Sequence, residues 1–171
     1  GQINRTFGDT GTVDLKKGFG SDLAETSPPA VTRDLVIVGS SLGDNQRMDY
    51  PPGVVRAYDV HTGRLKWTWD PIAIHHPGDT AAATWQGPDA ARTGGANAWS
   101  VISVDAARGL VFIPTTCPSP DYYGGERKGK NLYANSIVAL YAATGKMAWY
   151  FQVVHHDIWD NDIAAQPVLI E

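Results

Sequence analysis

The feature that most restricts what this chain can fold into is an internal repeat. Residues 57–67 align without gaps to residues 139–149, and both copies carry Ala, Thr-Gly, a basic residue and Trp at matching positions. In each copy an apolar run precedes the Thr-Gly pair and another follows it. This is the pattern of two strands joined by a tight turn, with glycine where positive φ is needed. The repeat therefore predicts two copies of one β-unit.

Further apolar runs predict the remaining strands of each unit, and no useful helical period appears along the chain. Strands are expected at residues 35–39, 54–58 and 65–69 in the first unit, and at 99–104, 110–115, 136–140 and 147–152 in the second. We therefore predict an all-β fold built from four-stranded antiparallel blades. Two chance hairpins are the alternative interpretation of the repeat.

The spacing of the repeat sets the domain organisation. The two copies lie 82 residues apart, from position 57 to position 139, whereas a compact propeller blade takes about 40 to 45 residues. Pro- and Gly-rich excursions at about 70–97 and 116–135 account for the excess. The predicted order is a partial blade at about 1–26, blades at 27–71 and 98–152, and the start of another at 153–171, with a strand start at 167–170.

A ring of blades cannot close from this chain alone, because propellers need about four to eight blades. The expected partners are therefore the remaining blades of a longer protein, or other copies of the chain. The Trp of each repeat is expected to lie flat between neighbouring blades and to bury a large ring area there.

Composition excludes some partners. With 14 Lys+Arg against 18 Asp+Glu, the net charge is −4, and no basic stripe is present to bind nucleic acid. No apolar run approaches the roughly 18 residues needed to span a bilayer. Residues 1–5 lack the apolar core of a signal peptide, an absence that leaves the compartment open. Cys117 is the single cysteine, so an intramolecular disulfide is excluded.

Several motifs join the repeat in one resemblance. They are Thr26-Ser27-Pro28-Pro29, Gly43-Asp44-Asn45, Pro52 to Asp59, Asn97-Ala98-Trp99, Asp121 to Arg127 and Val154-His155-His156-Asp157-Ile158-Trp159-Asp160. With the repeated Ala-x-x-x-x-Thr-Gly-x-x-x-Trp, the tryptophan-docking repeat, this chain resembles the pyrroloquinoline quinone (PQQ) dehydrogenases, in particular the membrane-type glucose and polyol branch. The resemblance covers nearly the whole chain.

The resemblance implies an eight-bladed propeller that holds PQQ and Ca²⁺, or Mg²⁺, at one end of its axis, and of which this chain is a fragment. It implies oxidation of a sugar or polyol hydroxyl, a quinone electron acceptor and a periplasmic location. The Lys and other contacts to the PQQ carboxylates belong to blades outside this chain. The adjacent-cysteine disulfide of the methanol-oxidising branch is absent, which favours the sugar and polyol branch. No haem-binding Cys-x-x-Cys-His occurs in this sequence, so the exit for electrons is expected elsewhere.

The resemblance also assigns a catalytic residue. Oxidation of an alcohol by a quinone needs a base for the hydroxyl proton, and an ionised carboxylate within hydrogen-bond reach can serve. Asp160 matches the family's base. Ile158 and Trp159 are expected to limit its solvation, and His155 and His156 to hydrogen-bond nearby carboxylates. The alternative is that Asp160 only forms a turn.

Cofactor and metal contacts are expected at other positions. The family implies an ion contact at Asp44 and an ion or cofactor contact at Asn45, since carboxylate and amide oxygens suit hard divalent cations. A simple Asp-Asn turn is the alternative. Trp99 matches a residue lining the cofactor pocket, or it is core. Ser119 stands where these enzymes often carry Thr near the metal, and His156 is assigned to the cofactor.

Two other groups of residues are predicted to have no role in the site. The pair His75-His76 is expected at the surface, and residues 126–130 are expected to form a solvated loop tip.

Two other functions remain open: a non-catalytic propeller or self-assembling blade module, and a His-rich metal hydrolase with Zn²⁺. Adjacent histidines in an extended segment point to opposite faces, which disfavours the metal hydrolase.

Overall fold

The computed structural model describes residues 2–19, 23–43 and 45–170. Within these ranges the chain forms two four-stranded antiparallel sheets and one two-stranded sheet, which confirms the all-β class. The strands are β1 (Leu23–Ala24), β2 (Ala30–Val31), β3 (Leu35–Val38), β4 (Ser41–Leu42), β5 (Val55–Asp59), β6 (Leu65–Trp69), β7 (Ser103–Asp105), β8 (Leu110–Pro114), β9 (Ser136–Tyr141) and β10 (Met147–Gln152). The sheet orders are β2-β3-β5-β6, β7-β8-β9-β10 and β1-β4.

The two repeat hairpins form as expected. β5 pairs with β6, and β9 pairs with β10, in antiparallel register. Gly63 and Gly145 occupy the turns with φ of 69° and 68°, a region that a side chain disfavours. The first turn has an additional carboxylate, because Asp59 Oδ1 accepts bonds from the backbone N–H of Thr62 at 2.9 Å and from its hydroxyl at 2.9 Å. Tyr141 replaces that carboxylate in the second turn.

Trp67 packs between the two blades, as the repeat predicts. Its ring is 9 % exposed, and its indole N–H donates to the carbonyl of Ala142 at 2.8 Å. A Cβ on Gly145 would lie 2.7 Å from Cδ2 of this ring, so the glycine also makes room for the Trp. The repeat therefore positions a ring of one blade against the turn of the next.

Two predicted strands differ from the structure. The strand expected at 99–104 is reduced to β7, because the Trp99 carbonyl accepts bonds from Thr26 Oγ1, at 3.0 Å, and from Ser27 Oγ rather than from a neighbouring strand. The strand start expected at 167–170 is not a strand either. In the described residues after β10 the backbone is held by side chains instead, with Ser100 Oγ donating to the Ala164 carbonyl at 2.7 Å and Ser103 Oγ to that of Pro167.

The first excursion contains three short 3₁₀ helices, Ala73–His75, Thr80–Thr84 and Ala90–Arg92. The expectation that His75 and His76 lie at the surface is only partly met, because both are half-buried and hydrogen-bonded. His75 Nδ1 lies 2.7 Å from Asp70 Oδ2, and His76 Nε2 lies 2.7 Å from the Asp70 carbonyl oxygen. Both rings are partly buried because they tie the start of the excursion to the end of β6.

One buried cluster joins both sheets, with Ile37 and Val55 from the first and Val111 and Val138 from the second. No helix in the described part of the chain is long and apolar enough to cross a membrane.

Candidate functional site

The topology of the second sheet brings its functional loops to one end. β8 and β10 both run antiparallel to β9, so the two strands are parallel and their carboxyl ends lie at the same edge. The loop after β8, residues 115–124, therefore meets the loop after β10, residues 153–162. The segment that enters β7, with Trp99, reaches the same end because β7 is antiparallel to β8.

Asp160 lies exposed in the loop after β10. Its φ is 59°, a left-handed conformation that Asp and Asn tolerate better than most residues. The Tyr122 hydroxyl donates to Asp160 Oδ2 over 3.4 Å, so the two loops meet at the carboxylate. The expectation that Trp159 limits the solvation of Asp160 is wrong, because the Trp159 side chain turns outward and is 76 % exposed.

Trp99 is fixed by a carboxylate that sequence reasoning missed. Its indole N–H donates to Asp162 Oδ2 at 2.7 Å, and Asp162 Oδ1 accepts from the backbone N–H of Cys117 at 2.9 Å. Burial raises the pKa of Asp162, although both hydrogen bonds oppose that shift. Asp162 therefore joins the indole to the loop that carries Ser119. The signal available in the sequence was its place two residues after Asp160.

Ser119 and His156 each carry a buried polar atom without a protein partner. Ser119 is fully buried, and its Oγ has no hydrogen-bond partner in the described residues. His156 Nδ1 is also buried and unpaired within the same ranges, so this nitrogen does not make the carboxylate bond expected of His156. Buried polar groups are usually hydrogen-bonded. The two atoms lack the partners that buried polar groups usually have, which fits a site completed by a cofactor that carries carbonyl and carboxylate oxygens.

Of the two predicted ion residues, only Asn45 belongs to the described part of the chain, where it lies exposed in the segment after β4. Asp44 lies outside the described residues. The Asn45 loop reaches the second blade through Gly94, whose N–H donates to the Met48 carbonyl at 2.9 Å and whose carbonyl accepts from the Ser119 N–H at 3.0 Å. The loops of Asn45 and Ser119 are therefore joined through one residue.

Asp157 holds the turn that presents Asp160. Its two carboxylate oxygens accept bonds from the backbone N–H groups of Trp159, at 3.0 Å, and Asn161, at 2.6 Å, on either side of Asp160. The Asn161 and Asn135 side chains donate to it as well, at 2.8 and 2.9 Å. Burial alone would raise the pKa of Asp157, but the bonds from Asn161 and Trp159 hold it below its usual value. Asp157 therefore stays ionised while it holds the turn of Asp160.

The expectation of a solvated tip at residues 126–130 is wrong for Arg127, which is fully buried. Its guanidinium donates to the carbonyls of Pro120, at 3.1 Å, and Asp157, at 2.8 Å. Lys128 in the same segment is exposed. The physical reason for the difference is that backbone carbonyls of two loops point at position 127 and accept hydrogen bonds from its guanidinium.

Metal ligands of the His/Cys/Asp/Glu type do not cluster in threes within residues 2–19, 23–43 and 45–170. The Zn²⁺ hydrolase alternative therefore has no support in these ranges. Burial raises the pKa of the Cys117 thiol, so this cysteine has little thiolate character.

Comparison with known proteins places these loops in a family. The whole chain, residues 1–171, matches the PQQ family described as glucose/ethanol/alcohol dehydrogenase, beta-propeller domain. It is 37% identical over 179 residues to quinoprotein glucose dehydrogenase A of Acinetobacter calcoaceticus, covering 100% of this chain and 21% of that protein. It is 36% identical to the glycerol dehydrogenase large subunit of Gluconobacter oxydans, covering 100% of this chain and 23% of that protein.

A solved structure agrees with this comparison. The quinohemoprotein alcohol dehydrogenase from Comamonas testosteroni superposes with a TM-score of 0.74 at 31% identity, covering 88% of this chain and 24% of that one. The chain thus spans between a fifth and a quarter of the length of these relatives. Together with the two four-stranded sheets, these matches establish that the chain is part of a propeller in a larger protein and belongs to the family of PQQ-dependent glucose/ethanol/alcohol dehydrogenase β-propeller domains.

Proposed function

We propose that this chain supplies the catalytic base and one wall of the cofactor site in a PQQ-dependent dehydrogenase that oxidises a sugar or polyol hydroxyl. The observation that carries the proposal is the pair of unpartnered buried atoms, Ser119 Oγ and His156 Nδ1, on the two loops that meet at Asp160. The identity to glucose and glycerol dehydrogenases supports the substrate class.

Asp160 takes the proton of the substrate hydroxyl. Its carboxylate is exposed at the end of the sheet, so a substrate can reach it, and the Tyr122 hydroxyl orients one of its oxygens. PQQ, when bound, would supply the hydride acceptor for the carbon that carries that hydroxyl. Removal of the proton by a positioned carboxylate lowers the barrier to hydride loss.

Three residues of this chain hold the cofactor in the proposal. The Trp99 indole, fixed through Asp162, forms a flat wall for a planar ring system and excludes water from it. Ser119 Oγ and His156 Nδ1, which have no protein partner in the described residues, would hold the cofactor through hydrogen bonds. Asn45 reaches either the cofactor or the divalent ion from the neighbouring loop.

A divalent cation, Ca²⁺ or Mg²⁺, is proposed beside Asp44 and Asn45. Their carboxylate and amide oxygens are the ligand type that these hard ions prefer. The other ligands come from the remaining blades. We further propose a periplasmic location and a quinone electron acceptor, because the family that the sequence motifs resemble implies both.

Replacing Ser119 by Ala tests the cofactor site. Because Ser119 Oγ has no protein partner, the stability of the cofactor-free protein should stay the same or rise slightly, whereas the Kd for PQQ should rise about five- to tenfold, equivalent to one lost hydrogen bond. A complete protein containing this chain is titrated with PQQ in excess Ca²⁺, and tryptophan quenching gives the Kd. Thr144→Ala, in an exposed turn, is the control. An unchanged Kd for Ser119→Ala would contradict this contact.

A further inference from the structure

Arg127 is a fully buried cation that the proposed reaction does not use. Its Nη1 donates to Asn131 Oδ1 at 3.1 Å, while Nη2 lies 3.1 Å from the Pro120 carbonyl oxygen and 2.8 Å from that of Asp157. Nη2 also lies 3.7 Å from the Cys117 sulfur. Burying a charge is costly unless it is paired and hydrogen-bonded, so the surroundings of this guanidinium must compensate for its desolvation.

The two carbonyl acceptors belong to the two loops of the site. Pro120 directly follows Ser119, and Asp157 lies between His156 and the turn of Asp160. One nitrogen of Arg127 therefore joins the loop after β8 to the loop after β10. This junction lies beside two other bonds between the same loops, from the Cys117 N–H to Asp162 Oδ1 at 2.9 Å and from the Tyr122 hydroxyl to Asp160 Oδ2 at 3.4 Å, but of these three contacts only the Arg127 nitrogen binds the backbone of both loops at once.

The charge of Arg127 also has a local effect. Burial lowers its pKa, while the negative groups around it, Asp157 and Asp121 among them, oppose that shift. Asp157 in turn holds the backbone on both sides of Asp160. The guanidinium thus holds the backbone of the residue that fixes the Asp160 turn.

We propose that Arg127 is a positioning residue, which locks the Ser119 loop and the Asp160 loop at the separation that the hydride-transfer site needs. This inference rests on the proposed function for its effect on chemistry, but the loop locking itself is independent of it. A planar guanidinium suits the role because it presents several donors in a fixed fork, whereas a Lys ammonium is a point charge on a flexible stem.

Hydrogen exchange tests the locking in a complete protein that contains this chain, without cofactor. In Arg127→Lys, the amides of Ser119, Trp159 and Asn161 should exchange about tenfold faster, because bonds from a charged donor to both loops are lost. Lys128→Met removes an exposed charge one residue away and should leave these amides unchanged. Unchanged exchange in Arg127→Lys, or faster exchange in one loop only, overturns the proposal.

Single-turnover reduction of bound PQQ then separates positioning from stability in a complete protein containing this chain. The amplitude reports the fraction of active sites, and the rate constant reports the chemical step. For Arg127→Lys and Arg127→Met we expect the rate constant to fall about 100-fold, as a misplacement of about 1 Å causes, with the amplitude kept in the Lys variant.

The outcomes are distinct. A lower amplitude with a wild-type rate constant, or no amplitude in either variant, assigns Arg127 to folding alone and overturns the positioning role. If the unmodified protein does not reduce PQQ with sugars or polyols, the proposed function fails, whereas the exchange result still decides the locking.

Discussion

At the residue scale, the site depends on side chains whose environments differ from what their types suggest. Ser119, His156 and Asp160 were assigned through a resemblance in sequence, and the fold brings their loops together. Arg127 belonged to a charged run, Glu126-Arg127-Lys128, that favours solvent. Its burial follows from carbonyls that only the folded loops present, so a sequence pattern cannot reveal it. The bond between Asp162 and Trp99 could not be predicted for the same reason, because the two residues are far apart in the sequence.

The His75–Asp70 pair makes a residue-scale prediction about pH. The hydrogen bond to Asp70 raises the pKa of His75, and burial only partly opposes it. A raised pKa in the folded state means that the pair's stabilisation is complete below the unfolded value of about 6.5 and is lost as pH rises through the folded pKa. The urea concentration at the midpoint of unfolding should therefore decrease as the pH rises from 6 to 9. His75→Gln should flatten that part of the pH profile. An unchanged slope in His75→Gln would show that the pair does not contribute.

At the scale of the element, the hairpin of the repeat is the best predicted part of the fold. β6 and β10 occupy the expected residues, and both turn glycines have positive φ. The segments that differ are those held by side chains rather than by a ladder, around Trp99 and after residue 153. A periodic pattern identifies backbone pairing between strands, but not bonds made by Ser and Thr hydroxyls.

Two glycines provide a matched test of the contact between the blades. Gly145 and Gly109 have φ of 68° and 66°, so Ala at either position carries the same conformational strain, about 1–2 kcal/mol. A Cβ at Gly145 meets the Trp67 ring at 2.7 Å, whereas a Cβ at Gly109 meets nothing within 4 Å. Gly145→Ala should therefore reduce the free energy of unfolding by about 1–3 kcal/mol more than Gly109→Ala. Equal losses of unfolding free energy in urea titrations would show that the Trp67 ring can move away from the added methyl group without destabilising the fold.

At the scale of the whole molecule, the repeat leaves one face uncovered. Trp149 occupies the position of Trp67 in the second copy, yet it is 45 % exposed, and its neighbour Phe151 is 66 % exposed. Trp67 is covered by the turn of the next blade. In the described chain no later blade covers Trp149, and an exposed apolar face of this kind favours association.

This face makes a prediction for the 171-residue chain. Its sedimentation coefficient should rise with concentration in the micromolar range, and Phe151→Lys should suppress that rise by placing a charge on the face. Ile3→Lys, at an exposed residue near the other end of the chain, should not. Concentration-independent sedimentation of the unmodified chain would show that the face does not associate, and would disfavour the self-assembling module.

Asp160→Asn, in a complete protein that contains this chain, tests the central claim most directly. Asn tolerates the left-handed backbone at this position and keeps the side-chain size, so the change removes the base without disturbing the turn. Single-turnover reduction of bound PQQ by a sugar or polyol should slow by about 10²- to 10⁴-fold, with the Kd for PQQ within about threefold of the original. Asp34→Asn, an exposed carboxylate before β3 at the other end of the first sheet, should react normally. A rate constant for Asp160→Asn equal to that of the unmodified protein would contradict the account.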